Sequence, residues 1–295
     1  MSSFRVRRAT AADADAVVDI VRALDTMILG SSDYTRADLE EEWRRSDPER
    51  NAFVLVDGGA PIAYGTVDDK GDPRSDGYVH PSHFGRGAGG VLVDALEDEL
   101  RSRGATVVRN ATLLADERAH ALLRGRGYDE VRRFWQMRIE LTEEPPPPAY
   151  ELEPLAPGDA QAFHAAYEEA FADHWGHVRR PFEDWRHDHM DGPDYAPELF
   201  RVVRIDGEIA AGWIGVWDRG GAADVARLFT RRAFRRRGLG EALLLDAFGV
   251  FWRGGKRTVG LGVDAQSDTG AHRLYERAGM HVHWGAVVFE KRLDA

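Results

Sequence analysis

The spacing Arg235-x-x-Gly238-x-Gly240 is the segment of this chain whose residue types point most directly to chemistry. It follows an apolar run, Asp224 to Thr230, and precedes a helical pattern from Glu241 to Trp252, so it reads as a strand–turn–helix unit. Successive backbone N–H groups in such a turn, backed by the positive end of the helix dipole, form a site for an anion such as a phosphate. Glycines let the chain curl and let the anion approach the backbone with no Cβ in the way. The spacing is neither the phosphate loop ending in Gly-Lys-Ser/Thr nor the dinucleotide Gly-x-Gly-x-x-Gly. On the motif alone, a tight turn with solvated arginines stands as the other reading. His174, His177, His187 and His189 offer a second chemistry, with His-x-x-His and His-x-His spacings. Imidazole binds transition metals, but carboxylate help would be needed and no metal-enzyme helix motif is present. No metal is expected.

The elements that position the loop occur twice. Arg86-Gly87-Ala88-Gly89 matches Arg237-Gly238-Leu239-Gly240, and Asp116-x-x-Ala119-His120-x-Leu122 matches Asp268-x-x-Ala271-His272-x-Leu274. The ends of the halves agree as well, Met137 to Leu141 against Phe289 to Leu293. Two copies of about 150 residues make a duplicated domain and not a solenoid. Between them Glu143 to Pro148 reads Glu-Glu-Pro-Pro-Pro-Pro, which can continue neither a helix nor a central strand. The expected organisation is therefore 1–142, a linker at 143–148, and 149–295. Helices are expected at Ala14–Leu24 and Ala160–Phe171, and strands at Ala52–Val56 and Phe200–Ile205. After each Gly-rich turn comes a helix, with apolar Val91, Leu92, Ala95, Leu96 and Leu100 in the first half and Glu241 to Trp252 in the second. Short buried strands follow at Ala105–Val108 and Thr258–Val263.

Composition narrows the function classes. The 295 residues are 43% hydrophobic and 30% charged, ordinary for a globular protein. With no cysteine, disulfides, iron–sulfur clusters, thiolate-bound zinc and cysteine nucleophiles are excluded together. The net charge of −11 argues against nucleic acid as a partner and favours cationic amines. No apolar run approaches a membrane span and the first residues lack the apolar stretch of a signal peptide, so no membrane partner and a cytoplasmic location are expected. Monomer or homodimer is the expected state.

The loop spacing, and the later Asp268-x-x-Ala271-x-x-Leu274-Tyr275-x-x-x-Gly279, resemble the two signature segments of the GNAT (GCN5-related N-acetyltransferase) superfamily, with Asp268 where that family usually has Asn. With the closing strand Ala286–Leu293, the resemblance covers most of 150–295, and the tandem arrangement resembles the mycothiol synthase family. It implies an α/β fold with a mixed sheet in each half and an acetyl-CoA-dependent N-acetyltransferase acting by direct attack on a primary amine of a small molecule. Backbone N–H groups of Arg235, Arg236, Arg237, Gly238, Leu239 and Gly240 would hold the CoA pyrophosphate, with Leu228, Phe229 and Thr230 beside the pantetheine and Asp268 in the second segment. Tyr275 falls where the family places the acid that protonates the departing thiolate. Asp224 falls eleven residues before the loop, where several members carry a general base. The His cluster lies where such domains build the acceptor pocket, with Trp175, Trp185, Trp213 and Trp217 as walls. Alternatives are a mycothiol-synthase-like or protein lysine acetyltransferase and a non-catalytic acyl-CoA-binding module.

The first copy departs from this pattern. Gly85, Arg86, Gly87, Ala88 and Gly89 keep a cradle sterically possible, but Phe84 stands where the second copy has Arg235. Leu123 replaces the tyrosine, and Pro73 falls at the counted position of Asp224. Gly71, Pro73 and Gly77 interrupt the preceding strand. This half is expected to bind acyl-CoA without turnover or to support the other.

Overall fold

The computed structural model describes residues 4–69, 71–192, 195–267 and 270–293. Apolar alternation and helical stripes convert into β1 (Arg5–Arg8), α1 (Ala14–Leu29), α2 (Arg36–Ser46), α3 (Pro48–Asn51), β2 (Ala52–Asp57), β3 (Ala60–Asp68), β4 (Arg74–Val79), α4 (Ala88–Ser102), β5 (Val107–Leu113), α5 (Glu117–Arg124) and β6 (Asp129–Glu140). The second series is β7 (Glu153–Pro154), α6 (Ala160–Phe171), α7 (Phe182–Met190), β8 (Phe200–Ile205), β9 (Glu208–Arg219), β10 (Ala222–Thr230), α8 (Leu239–Arg253), β11 (Thr258–Asp264), α9 (Ala271–Arg277) and β12 (His281–Arg292). Among the described residues, no helix is long and apolar enough to cross a membrane.

Two compact units result, and they do not coincide with the halves of the sequence. One comprises the residues up to Arg133 together with those from Gly285 onward; the other is Phe134–Trp284. In the first unit the strand order is β1-β2-β3-β4-β5-β12, and in the second β7-β8-β9-β10-β11-β6. Each sheet is antiparallel except for one parallel pair, β4 with β5 and β10 with β11. The sixth place in each sheet is thus filled from the other half of the sequence. Val287, Val288 and Phe289 of β12 pair with Thr112, Ala111 and Asn110 of β5. Leu261 and Gly262 of β11 pair with Met137 and Gln136 of β6. The closing strand expected to complete the second half completes the first unit instead. The two strands hold equivalent places in the duplicated sequence, and Phe289 and Met137 are both fully buried, each in the core of the unit it joins.

Each sheet carries helices on both faces. In the second unit, Leu243, Ala247 and Phe251 of α8 pack on one face with Trp213, Val259 and Leu261. Phe163 and Tyr167 of α6 and Trp185 of α7 pack on the other with Phe200, Ile214 and Phe229. The first unit repeats this, with Leu92, Leu96 and Leu100 of α4 on one face and α1 and α2 on the other. A buried ion pair fastens α8 of the second unit to the segment after the proline run. Arg201 Nε donates to Asp246 Oδ2 at 2.5 Å and its Nη2 to the Leu152 carbonyl at 2.7 Å, while Trp213 Nε1 donates to Asp246 at 2.9 Å.

Candidate active site

Strand β10 carries Asp224, Leu228, Phe229 and Thr230 and runs directly into the loop. Among the described residues it pairs with β11 only at Ala223↔Val259 and Asp224↔Gly260, whereas its pairing with β9 continues to Thr230. From Asp224 onward the two parallel strands part, leaving the β11-facing edge of β10 without a strand partner. At the point of parting β10 bulges: Asp224 faces Val216 and Arg227 faces Ile214, three steps against two. Such a bulge sharpens the local twist and re-aims the side chains around it. Phe229 points to the α6 face and is buried, while Leu228 packs toward the α8 face.

Asp224 is 3% exposed. Its Oδ1 accepts from Arg219 Nη1 at 2.7 Å and its Oδ2 from Gln136 Nε2 at 3.3 Å. Burial pushes its carboxyl above the ordinary carboxylate value, opposed by Arg219, Gln136 and more distant arginines. Tyr275, on α9, is 6% exposed within the α8-side core, and burial pushes its phenol up to about 12. No described residue hydrogen-bonds its hydroxyl.

The loop turns through a short 3₁₀ segment, Arg232–Phe234, and enters α8 with Gly238 as N-cap. Arg236 and Gly238 both lie in the left-handed region, at φ 62° and 81°. No side chain caps α8, so the first N–H groups of the helix, from Leu239 and Gly240, are offered outward. Gly240 is required by packing, since a Cβ there would stand 2.9 Å from Leu274 of α9. The three arginines differ in role. Arg235 turns its guanidinium inward, donating to the carbonyls of Thr230 at 3.2 Å and Ala170 at 3.1 Å. Arg237 lies over Phe234 and donates to the Ala233 carbonyl, while Arg236 is exposed. Tyr150 Oη closes the loop from the linker side, donating to the Arg237 carbonyl at 2.7 Å. Asp268 lies outside the described residues.

The loop of the first unit has the same backbone. Gly85 and Gly87 take the left-handed conformation at φ 73° and 85°, Ala88 opens an uncapped α4, and Leu122 packs on Gly89 as Leu274 packs on Gly240. Arg86 is drawn to Asp57 and to His83. At the register of Asp224, however, stands Arg74 and not the counted Pro73. Arg74 faces Asp68 and Arg109 as Asp224 faces Val216 and Gly260. Strand β4 lacks the bulge, and that one residue displaces the count.

Three of the four histidines gather about two rings of α6: His174 and His177 lie against Phe171, and His177 and His189 against Tyr167. His177 Nε2 lies 3.0 Å from Glu168, a buried carboxylate of α6 that also has His164 at 3.5 Å. His189 stacks on Trp185 at 4.9 Å, and His187 is exposed. Among the described residues no group of three His, Asp or Glu could hold a metal. A cavity of about 380 Å³ lies beside Glu168, Glu169, His177 and Arg179. Trp185 and Trp213 are fully buried core residues on opposite faces of the sheet, so they do not form pocket walls together. Sequence reading missed Glu168, although His164 four residues earlier on the same helix marks it. It also missed Gln136, which no local signal reveals because it arrives from the other half.

The model of the acetyltransferase (GNAT) family matches residues 17–128 and again 160–280. The chain is 29% identical to the mycothiol acetyltransferase of Thermobispora bispora, over 95% of this chain and 93% of that protein. A crystal structure of a GCN5-related N-acetyltransferase from Sphaerobacter thermophilus superposes with a TM-score of 0.87 at 32% identity, covering 98% of this chain and 95% of that one. A tandem GNAT protein from the clavulanic acid biosynthesis pathway shares the fold, with a TM-score of 0.71 at 16% identity and 99% of both chains covered. The chain belongs to the GNAT acetyltransferase family as a tandem, mixed α/β member and is an acyltransferase.

Proposed function

We propose that the second unit is an acetyl-CoA-dependent N-acetyltransferase that modifies a primary amine of a small molecule. The observation that carries this reading is the parting of β10 and β11 after Asp224, which opens a strand edge leading to the uncapped start of α8. Pantetheine amides pair with such an edge as an added strand would, beside Leu228, Phe229 and Thr230. The pyrophosphate takes the outward N–H groups from Arg236 to Gly240. Arg235 serves by fixing the loop through Thr230 and Ala170.

In the reaction the amine nitrogen attacks the thioester carbonyl and gives a proton to Asp224. Backbone N–H groups near Leu228 and Phe229 steady the oxyanion. The tetrahedral intermediate collapses, the C–S bond breaks, and the thiolate takes the Tyr275 proton. A phenol at about 12 stays protonated at neutral pH and is ready to donate. An Asp with a raised pKa is a better base than an ordinary one and remains ionised well above its titration.

A mycothiol-type acceptor is the narrower reading, supported by the Thermobispora protein named a mycothiol acetyltransferase, which aligns over nearly the whole chain. The first unit keeps the cradle but has Leu123 and Arg74 in place of the acid and base, which supports binding or support without turnover. A thiol-release assay with acetyl-CoA and an amine panel that includes mycothiol-type amines tests both levels. Turnover of other amines alone refutes the mycothiol reading, and turnover of none refutes the enzyme assignment to small amines.

A further inference from the structure

Glycines weaken a strand interior, yet β11 carries two, Gly260 and Gly262, at the centre of its pairing with β6. Both lie under one side chain. Gln136 sits directly across from Gly262, and a Cβ on Gly262 would stand 3.5 Å from Gln136 Oε1. A Cβ on Gly260 would stand 3.0 Å from Gln136 Nε2 and 3.5 Å from Asp224 Oδ2. The two glycines therefore make a bare strip along which the amide reaches Asp224, to which its Nε2 donates at 3.3 Å. A carboxylate held by Arg219 can only accept, so chemistry fixes the amide orientation: nitrogen toward Asp224, oxygen away from it. No described residue donates to that oxygen.

The first unit lacks the whole arrangement. Register equivalence puts Val288 of β12 at the place of Gln136, Ala111 at that of Gly262 and Arg109 at that of Gly260. The bare strip and its amide occur in the unit that has Asp224 and Tyr275, and are missing where both are replaced.

We propose that Gln136 orients the acceptor: anchored on Asp224 through Nε2, it receives one N–H of the incoming primary amine on Oε1 and so directs a second N–H to Asp224. This rests on Asp224 acting as the base. The residue comes from the first half of the sequence, so strand exchange completes the active site as well as the sheet. The amine is held between a carbonyl and a carboxylate, an arrangement that selects primary amines, which keep an N–H for each while the lone pair attacks. Charged groups facing Asp224 are Arg219 on β9, Arg227 on its own strand and Arg138 on β6.

The test is steady-state kinetics of the full chain with acetyl-CoA and the best amine of the panel, across pH, for Gln136→Leu, Gln136→Glu and Asp224→Asn. Leu removes donor and acceptor together. It should raise KM for the amine about tenfold, leave KM for acetyl-CoA unchanged, and move the acid limb of kcat/KM up by about one pH unit. Glu keeps an acceptor oxygen but adds a like charge beside Asp224. Its amine KM should fall back toward wild type while the limb moves further up. Wild-type amine KM and an unmoved limb in Gln136→Leu, with Asp224→Asn inactive, overturn the role of Gln136 alone. Full activity with an intact limb in Asp224→Asn overturns the base on which it rests, as does absence of turnover in the wild type. Should Gln136→Leu fail to show a cooperative thermal transition, Gly260→Ala, whose Cβ displaces the amide, should give the same changes, and unchanged kinetics there overturn the proposal.

Discussion

Strands β10 and β4 hold the same place in their sheets and run into loops of the same backbone, yet they carry different side chains at matching register: Asp224 in one and Arg74 in the other. Both part from the neighbouring parallel strand after a short pairing, and both deliver a left-handed glycine to the N-cap of an uncapped helix. They differ by one inserted residue. The bulge in β10 follows a buried carboxylate, where the regular β4 presents Arg74 against Asp68 and Arg109. The loops differ in strain as well. Arg236 is held at φ 62°, a conformation that costs a non-glycine residue about 1–2 kcal/mol, where the first unit has Gly85. Strain kept beside an anion cradle is consistent with a basic side chain that matters there. The duplicated scaffold thus preserves the loop geometry in its backbone, while Asp224 and Tyr275 are side chains that the copies do not share.

The sharpest way to break this comparison is at the acid. Tyr275→Phe should lower kcat by roughly 10²–10⁴, since a positioned acid is worth about that much. Leu123→Met, a volume-conserving change at the matching buried position of the first unit, should leave kcat unchanged; equal losses from both would make the units functionally equivalent. Next is pH. As the proposed base Asp224 would act only when ionised, and burial raises its pKa, so kcat/KM should fall as pH falls through a value above the ordinary ~3.9 of Asp. Asp224→Asn should abolish that limb along with most of the rate, and a pH profile flat into the ordinary Asp range would remove the base.

Strand exchange predicts a crossed pattern of stability. Phe289→Ala should cost about 3–5 kcal/mol. Amide hydrogen exchange should accelerate in β5 of the first unit, although Phe289 lies at the end of the second half. Met137→Ala, costing about 2–5 kcal/mol, should loosen β11. Uncrossed loosening would contradict the pairing. Acetyl-CoA at about 100 Kd should add about 2.7 kcal/mol to stability, measured by thermal unfolding. That gain should vanish in Gly238→Trp, and its loss in Gly87→Trp instead would move the cofactor to the first unit. The smallest effect is expected at Arg236→Gly: about 0.5–1 kcal/mol of added stability as strain is relieved, with affinity for acetyl-CoA reduced several-fold.

Much of this was readable from residue order. Ala160–Phe171 and Phe200–Ile205 form at the expected bounds, and α8 follows the Gly-rich turn and stops before Gly254. Local patterns suffice for these because periodicity, caps and turns involve residues within a few positions of one another. The duplication was equally visible, being a property of order alone. Counting failed at Arg74, where a bulge makes register and sequence distance disagree. It failed again at Trp213, whose core position across the sheet from Trp185 depends on which side of the strand faces α8.

Sequence alone determined the tandem family, the two loops and the replacement of Tyr275 by Leu123 in the first copy, because each is written in the identity and spacing of neighbouring residues. Tertiary structure alone decided which sixth strand completes which sheet, and with it that Gln136 meets Asp224. Strands β6 and β12 occupy equivalent places in the duplicated sequence, and neither carries a local signal that names its partner strand. Only the packing of the whole chain distinguishes the two pairings, and the choice brings together residues 88 positions apart in sequence.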